Sequence, residues 1–183
     1  MPDRARRVVV LAHCHLNVNT KVHGLASYEG ARAEVVAPYI ESGCGVIQLP
    51  CPEATYLGMA RWGMTKEQYE TPAYRRHCES LLLPVVDTLA VLAADDCAIE
   101  AVVGVDGSPS CGVERTCVGY RGGELGSCAR AGEPGPCAGD GTPQSAAEVP
   151  GAGVFMEVFR SLLDAAGLDV QFRGVEEIPG HRG

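Results

Sequence analysis

Three short apolar runs constrain the fold more than anything else in the chain. They are RVVVLA at 7–12, GVIQL at 45–49 and IEAVVGV at 99–105. Each is brief and rich in β-branched residues, the pattern of a strand buried on both faces. Segments of helical composition lie between them. ARAEVVAPYIES at 31–42 carries Pro38 inside, and in 73–94 Pro84 leaves either two helices or one kinked helix. Further on, residues 151–167 set Val154, Phe155, Val158, Phe159, Leu162 and Leu163 on one helical face and end at a capping Gly167. LDVQFRGVEE at 168–177 reads as a fourth strand. Strands alternating with helices predict an α/β fold, an open and mostly parallel sheet with helices on both faces. The stretches 13–24 and 51–72 read as irregular. Gly, Pro and Cys crowd 106–150, so that 112–148 reads as an irregular insertion at one end of the sheet.

The 183 residues suit a single domain spanning 1–183. Hydrophobic residues at 46% and charged residues at 21% are those of a soluble globular protein. No run approaches the ~20 apolar residues of a membrane helix. MPDRARR followed by VVVLA has a basic start, but its apolar stretch is too short for a secretory signal and lacks a small-residue cleavage site. It reads as the first strand, and a cytoplasmic location is expected. A formal net charge of −8 argues against a polynucleotide as the main partner, because a phosphate backbone needs a basic face. A small molecule fits better. The oligomeric state is left open.

Nine cysteines is a high and odd number. A reducing compartment disfavours a disulfide framework, which leaves metal binding or catalysis as the leading explanation. Cys44, Cys78 and Cys97 read as small buried hydrophobes. The other feature is placement. Cys14 and Cys51 each follow an apolar run by two residues, and Cys111 follows the third run by six. Parallel strands bring their carboxyl ends to one edge, where open α/β sheets form their sites. Three cysteines distant in sequence therefore converge. There is no C-x-x-C pair of the kind common in structural zinc sites. Three thiolates on a cluster that normally takes four leave one iron without a protein ligand, and such an iron is a Lewis acid.

CPE after one strand, SPSCG after a later one and the early strand-terminal cysteine together resemble the thiouracil desulfidase family. GMARWGMTKEQYETPAYRRHC at 58–78 resembles one branch of it, and the similarity spreads from Val8 to about Glu177. The resemblance implies a Rossmann-like fold and a 4Fe–4S cluster held by Cys14, Cys51 and Cys111. It also implies a non-redox reaction that removes sulfur from a thiolated pyrimidine as hydrogen sulfide. Two regions that shape the substrate pocket depart from the family pattern. HLNVNTKVHG stands where members carry Arg-x-Asp-Gly, and TYLGMARWG stands where they carry Gly-Leu-Pro.

Glu53, two residues from Cys51, is the first candidate for proton transfer, with capping a helix or pairing with Arg61 as its structural role. Ser108 and Ser110 flank Pro109 and are catalytic candidates that also suit a turn. His13, Asn17 and Asp106 are candidates for substrate contact, with His15 and Asn19 beside them. Tyr56 and Trp62 suit stacking on a flat heterocycle, although the core is the expected place for Trp62. Gly151 and Gly153 precede a helix start, which either binds an anion or lets the chain pass close to the site. Three other readings stay open: a zinc module of Cys111, Cys117, Cys128 and Cys137, a non-catalytic redox protein, and another iron–sulfur lyase or hydratase.

Overall fold

The computed structural model describes residues 4–122 and 146–176. In chain order it contains β1 (Arg7–Leu11), α1 (His13–Leu16), a 3-10 turn (Val18–Thr20), α2 (Ala33–Glu41), β2 (Gly45–Gln48), α3 (Pro52–Leu57), α4 (Lys66–Tyr69), α5 (Pro72–Ala94), β3 (Ala98–Asp106), β4 (Arg115–Val118), β5 (Ala147–Pro150), α6 (Val154–Ala165) and β6 (Phe172–Glu176).

Four strands form one sheet in the order β2-β1-β3-β6, with every neighbouring pair parallel. This is a Rossmann-like open sheet with helices on both faces. The two-residue period of a strand divides its core side chains. Val8 and Val10 of β1 and Val102 of β3 join the layer formed by α5 and α6. Val9, Leu11, Ala101 and Val103 face the other way, towards Val36 of α2 and Cys44. All of these side chains are buried, which explains why the central strands show no polar alternation. Full burial of one large apolar side chain contributes about 1.5–3 kcal/mol, so a charge at Val9 would break the sheet from its centre.

Residues 72–94 make one helix, with Pro84 carried inside it. In length and composition this helix would suffice to cross a bilayer, contrary to the expectation that no run comes close. However, Tyr74, Cys78, Leu82, Val86 and Leu89 form one buried stripe in the core, as an amphipathic core helix requires.

Three regions read as irregular are ordered. The first, after β1, holds α1 and the 3-10 turn. The second, 51–72, holds α3 and α4, which are specified by caps rather than by apolar periodicity. Cys51 and Pro52 start α3, and Thr65 and Gln68 form a capping box at α4. The third holds β4 and β5, which pair antiparallel as a small second sheet with Thr116 opposite Val149. Their four residues each are too short for a periodic signal. The remainder of the expected insertion, with Cys128 and Cys137, lies outside the described residues.

Candidate active site

The parallel order places the ends of β1, β2 and β3 at one edge. Between β1 and β3 the chain reverses its direction of growth, since β2 lies on one side of β1 and β3 on the other. Open α/β sheets bind ligands at such a switch point. Cys14 sits in α1 directly beyond β1. The Leu49 N–H donates to the Leu11 carbonyl at 2.8 Å and carries the parallel register on towards Cys51. Cys51 is the N-cap of α3, its Sγ accepting the Ala54 N–H at 3.5 Å. β3 runs one residue further than predicted, to Asp106, so Cys111 follows it by five residues.

The loop from Asp106 to Gly112 is held on three sides. Asp106 Oδ1 accepts the N–H groups of Val113 and Glu114, both at 2.9 Å, and of Arg115 at 3.4 Å. Ser108 Oγ accepts from the Ser110 N–H at 3.3 Å and the Cys111 N–H at 3.0 Å. The first amides of α6 close the third side: Val154 donates to the Pro109 carbonyl and Phe155 to the Ser110 carbonyl, each at 3.0 Å. A Cβ at Gly153 would overlap the Ser110 carbonyl. Gly153 is therefore the close approach that the sequence suggested. The helix start holds loop carbonyls, which corrects the anion-binding alternative.

Cys14, Cys51 and Cys111 all line one cavity of about 150 Å³, together with Glu53, Arg61 and Lys21. Cys51 and Cys111 are buried and Cys14 is half-buried. Burial pushes the Cys111 thiol well up, and Cys14, Cys51 and Glu53 push it the same way. A cation bound beside a buried thiol favours its thiolate form. Among the described residues, no three His, Cys, Asp or Glu side chains close on one point as they would around a single metal ion. Cys117 of β4 also lines the cavity, its thiol raised by burial and by Glu148 and Glu67.

Glu53 does two things at once. Arg61 Nε donates to its Oε2 at 3.4 Å, and Ser110 Oγ donates to its Oε1 at 2.7 Å. The Arg61 side chain is 3% exposed and also donates to the carbonyls of Gly58 and Thr20. Ser110 is fully buried and lies behind Glu53 rather than on the cavity wall, whereas Ser108 is on the wall. Tyr74 OH lies 3.0 Å from Ser110 Oγ. The Tyr69 hydroxyl is buried without a hydrogen-bond partner. Burial and then the charge of Glu53 push its pKa far up.

The three residues expected to contact substrate do not line the cavity. The Asp106 carboxylate is turned into the loop that it organises. Asn17 Oδ1 caps the following turn by accepting from the backbone N–H of Asn19 at 3.1 Å and its Nδ2 at 2.8 Å. His13 Nδ1 donates to the Leu49 carbonyl at 3.2 Å. His15 is buried, and its Nε2 donates to the Gly104 carbonyl at 3.0 Å. Trp62 is exposed rather than in the core, and Tyr56 packs edge-on against Tyr74, with ring centroids 5.2 Å apart, away from the cavity. Cys44 and Cys78 are buried as expected, and Cys97 is half-buried against the core. Sequence reasoning missed Lys21, Tyr69 and Tyr74. A tyrosine at the start of a core helix carries no sequence mark that separates it from packing.

No family profile matches the chain, and no solved structure matches it. Among curated proteins it is similar to "Uncharacterized protein MJ0003" of Methanocaldococcus jannaschii. The two are 39% identical over 110 residues, which is 60% of this chain and 70% of that protein.

Proposed function

We propose that the chain, which belongs to the same family as the Methanocaldococcus jannaschii protein, is a non-redox desulfidase. It takes the sulfur from a thiolated pyrimidine-type small molecule with the help of a 4Fe–4S cluster held by Cys14, Cys51 and Cys111. The observation that carries this reading is that three thiols from three strand ends line one cavity beside Glu53, which is half-buried and paired with the buried Arg61. The donor set fits the group. Thiolates are the usual ligands of such clusters. A cubane holds its irons at separate corners, so its ligands need not meet at one point as those of a single ion must. Its positive irons would also favour the thiolate of the buried Cys111. When bound, the cluster would supply a Lewis-acidic iron without a protein ligand, on which a thiocarbonyl can be polarised.

The side chains of the protein supply the proton chemistry. Glu53 reaches the cavity and takes a proton from the attacking water. Arg61 and Ser110 hold its two oxygens in place. Ser108 Oγ already accepts two amide hydrogens, so its own hydrogen is available to a ligand on the cavity wall. Val22, Leu25, Met64 and Pro109 offer a flat heterocycle an apolar wall and displace bulk water. The balance closes without electrons: a C=S group and one water give a C=O group and hydrogen sulfide.

The test is anaerobic reconstitution followed by a screen of thiolated pyrimidines for sulfide release. About four irons and four inorganic sulfides per chain are expected, as for one cubane cluster. Cys14→Ala, Cys51→Ala and Cys111→Ala should each lose both cluster and activity. Glu53→Gln should keep the cluster absorption and lose turnover. One zinc with no sulfide, or sulfide release that survives in Cys111→Ala, would overturn the assignment.

A further inference from the structure

Behind the cavity wall runs a short chain of hydroxyls with a fixed direction. Ser110 has one hydroxyl hydrogen and gives it to Glu53 Oε1 at 2.7 Å. The 3.0 Å contact with Tyr74 OH must then have the tyrosine as donor. Tyr74 and Ser110 are both buried, so water does not compete for the bond between them. Tyr74 is itself anchored. It lies in the first turn of α5, where its amide N–H donates to Thr71 Oγ1 at 3.2 Å. Its ring packs against Tyr69 with centroids 4.8 Å apart and meets Tyr56 edge-on.

We infer that Tyr74 is a positioning residue: it holds Ser110 in the one orientation that aims its hydrogen at Glu53. Without the tyrosine hydroxyl, Ser110 is free to exchange among its staggered rotamers, and Glu53 loses a fixed donor on its buried side. The kinetic consequence rests on the desulfidase reading above, whereas the hydroxyl coupling does not.

Four proteins test it: the wild type, Tyr74→Phe, Ser110→Ala and the double variant. Each is taken through unfolding of the metal-free chain and through sulfide release by the reconstituted one. Tyr74→Phe keeps the ring and removes one oxygen. Its kcat should fall about 10- to 100-fold, the usual loss when an outer-shell partner goes. KM and iron content should stay within roughly twofold, because the variant touches no ligand and no part of the cavity wall. Against the Ser110→Ala background the same change should be nearly silent in kcat, and the two unfolding effects should be non-additive, as expected for groups in direct contact. Full kcat in Tyr74→Phe, an equal loss in both backgrounds, or additive unfolding effects would each overturn the inference. If the wild type releases no sulfide, the desulfidase reading falls. The unfolding cycle then decides alone: non-additivity upholds the Tyr74–Ser110 anchor and additivity removes it.

Discussion

Gly153→Ala probes how the loop of Cys111 is held. The Gly153 backbone is extended, with φ −76° and ψ 159°, so alanine brings no conformational strain there. The obstacle is space. The new Cβ would overlap the Ser110 carbonyl and stand 2.8 Å from the Pro109 oxygen, more than half an ångström short of the 3.4 Å at which ordinary contact begins. Neither neighbour is a flexible side-chain end. Both are backbone carbonyls that accept the Val154 and Phe155 amides. Either α6 or the loop must move, and overpacking of this kind costs about 1–3 kcal/mol. For a chain of 183 residues, a loss of about 2 kcal/mol lowers Tm by roughly 4–8 °C. Because the loop carries Ser110 and Cys111, iron retention should fall alongside. The assay is thermal unfolding of the metal-free protein with iron content after reconstitution, and Gly30→Ala is the control, since an added Cβ there meets nothing within 4 Å. A Gly153→Ala protein with the Tm and iron content of the wild type would show that α6 does not clamp the loop.

Asp106→Ala leaves the Val113, Glu114 and Arg115 amides without their acceptor and should lower stability by about 3 kcal/mol in denaturant unfolding. Asp106→Asn, which keeps an oxygen, should lose much less. Burial keeps the His15 imidazole neutral, lowering its pKa from 6.5 to about 4 against the opposing Gly104 hydrogen bond. The unfolded chain therefore takes up the proton first, so this contribution is complete above pH 6.5 and is lost as pH falls towards 4. The loss amounts to about 3 kcal/mol and should shrink by that much in His15→Gln, followed as Tm against pH on the metal-free protein. Tyr69→Phe removes a buried hydroxyl that has no hydrogen-bond partner and should leave stability unchanged or raise it by up to about 1 kcal/mol, followed by thermal unfolding. A loss of about 1 kcal/mol or more would show that the hydroxyl is hydrogen-bonded in the folded protein.

The α/β alternation was readable because both central strands bury both faces and so carry runs without alternation. Helix positions followed wherever an apolar stripe repeated often enough, as in α5 and α6. Elements defined by caps or by four residues of pairing left no such trace, which is why α3, α4 and the β4–β5 ribbon emerged only in three dimensions. The same contrast runs through the site. Cys14, Cys51 and Cys111 were placed by one rule, that parallel strands end together. Glu53 followed from its nearness to Cys51. Asp106, Asn17 and His13 were assigned to substrate by that nearness too, and none of the three lines the cavity. A polar side chain just beyond a strand has open backbone amides and carbonyls around it, and binding these is the first use to which a buried carboxylate, amide or imidazole is put.

The hydroxyls behind Glu53 follow a different logic again. Ser110 sits next to Cys111 in sequence, yet its direction is set by Tyr74, 36 residues away on α5. The cavity wall is thus made largely by the segments that follow the strands, and the Tyr74 hydroxyl that fixes Ser110 behind it comes from a helix packed beneath them. Loops can vary in sequence while the sheet edge still gathers their side chains at one place. A buried donor cannot vary as freely, since losing it leaves Ser110 with a polar atom that no water can reach. In this fold the chemistry of the cavity is therefore anchored by residues that, in sequence, look only like core.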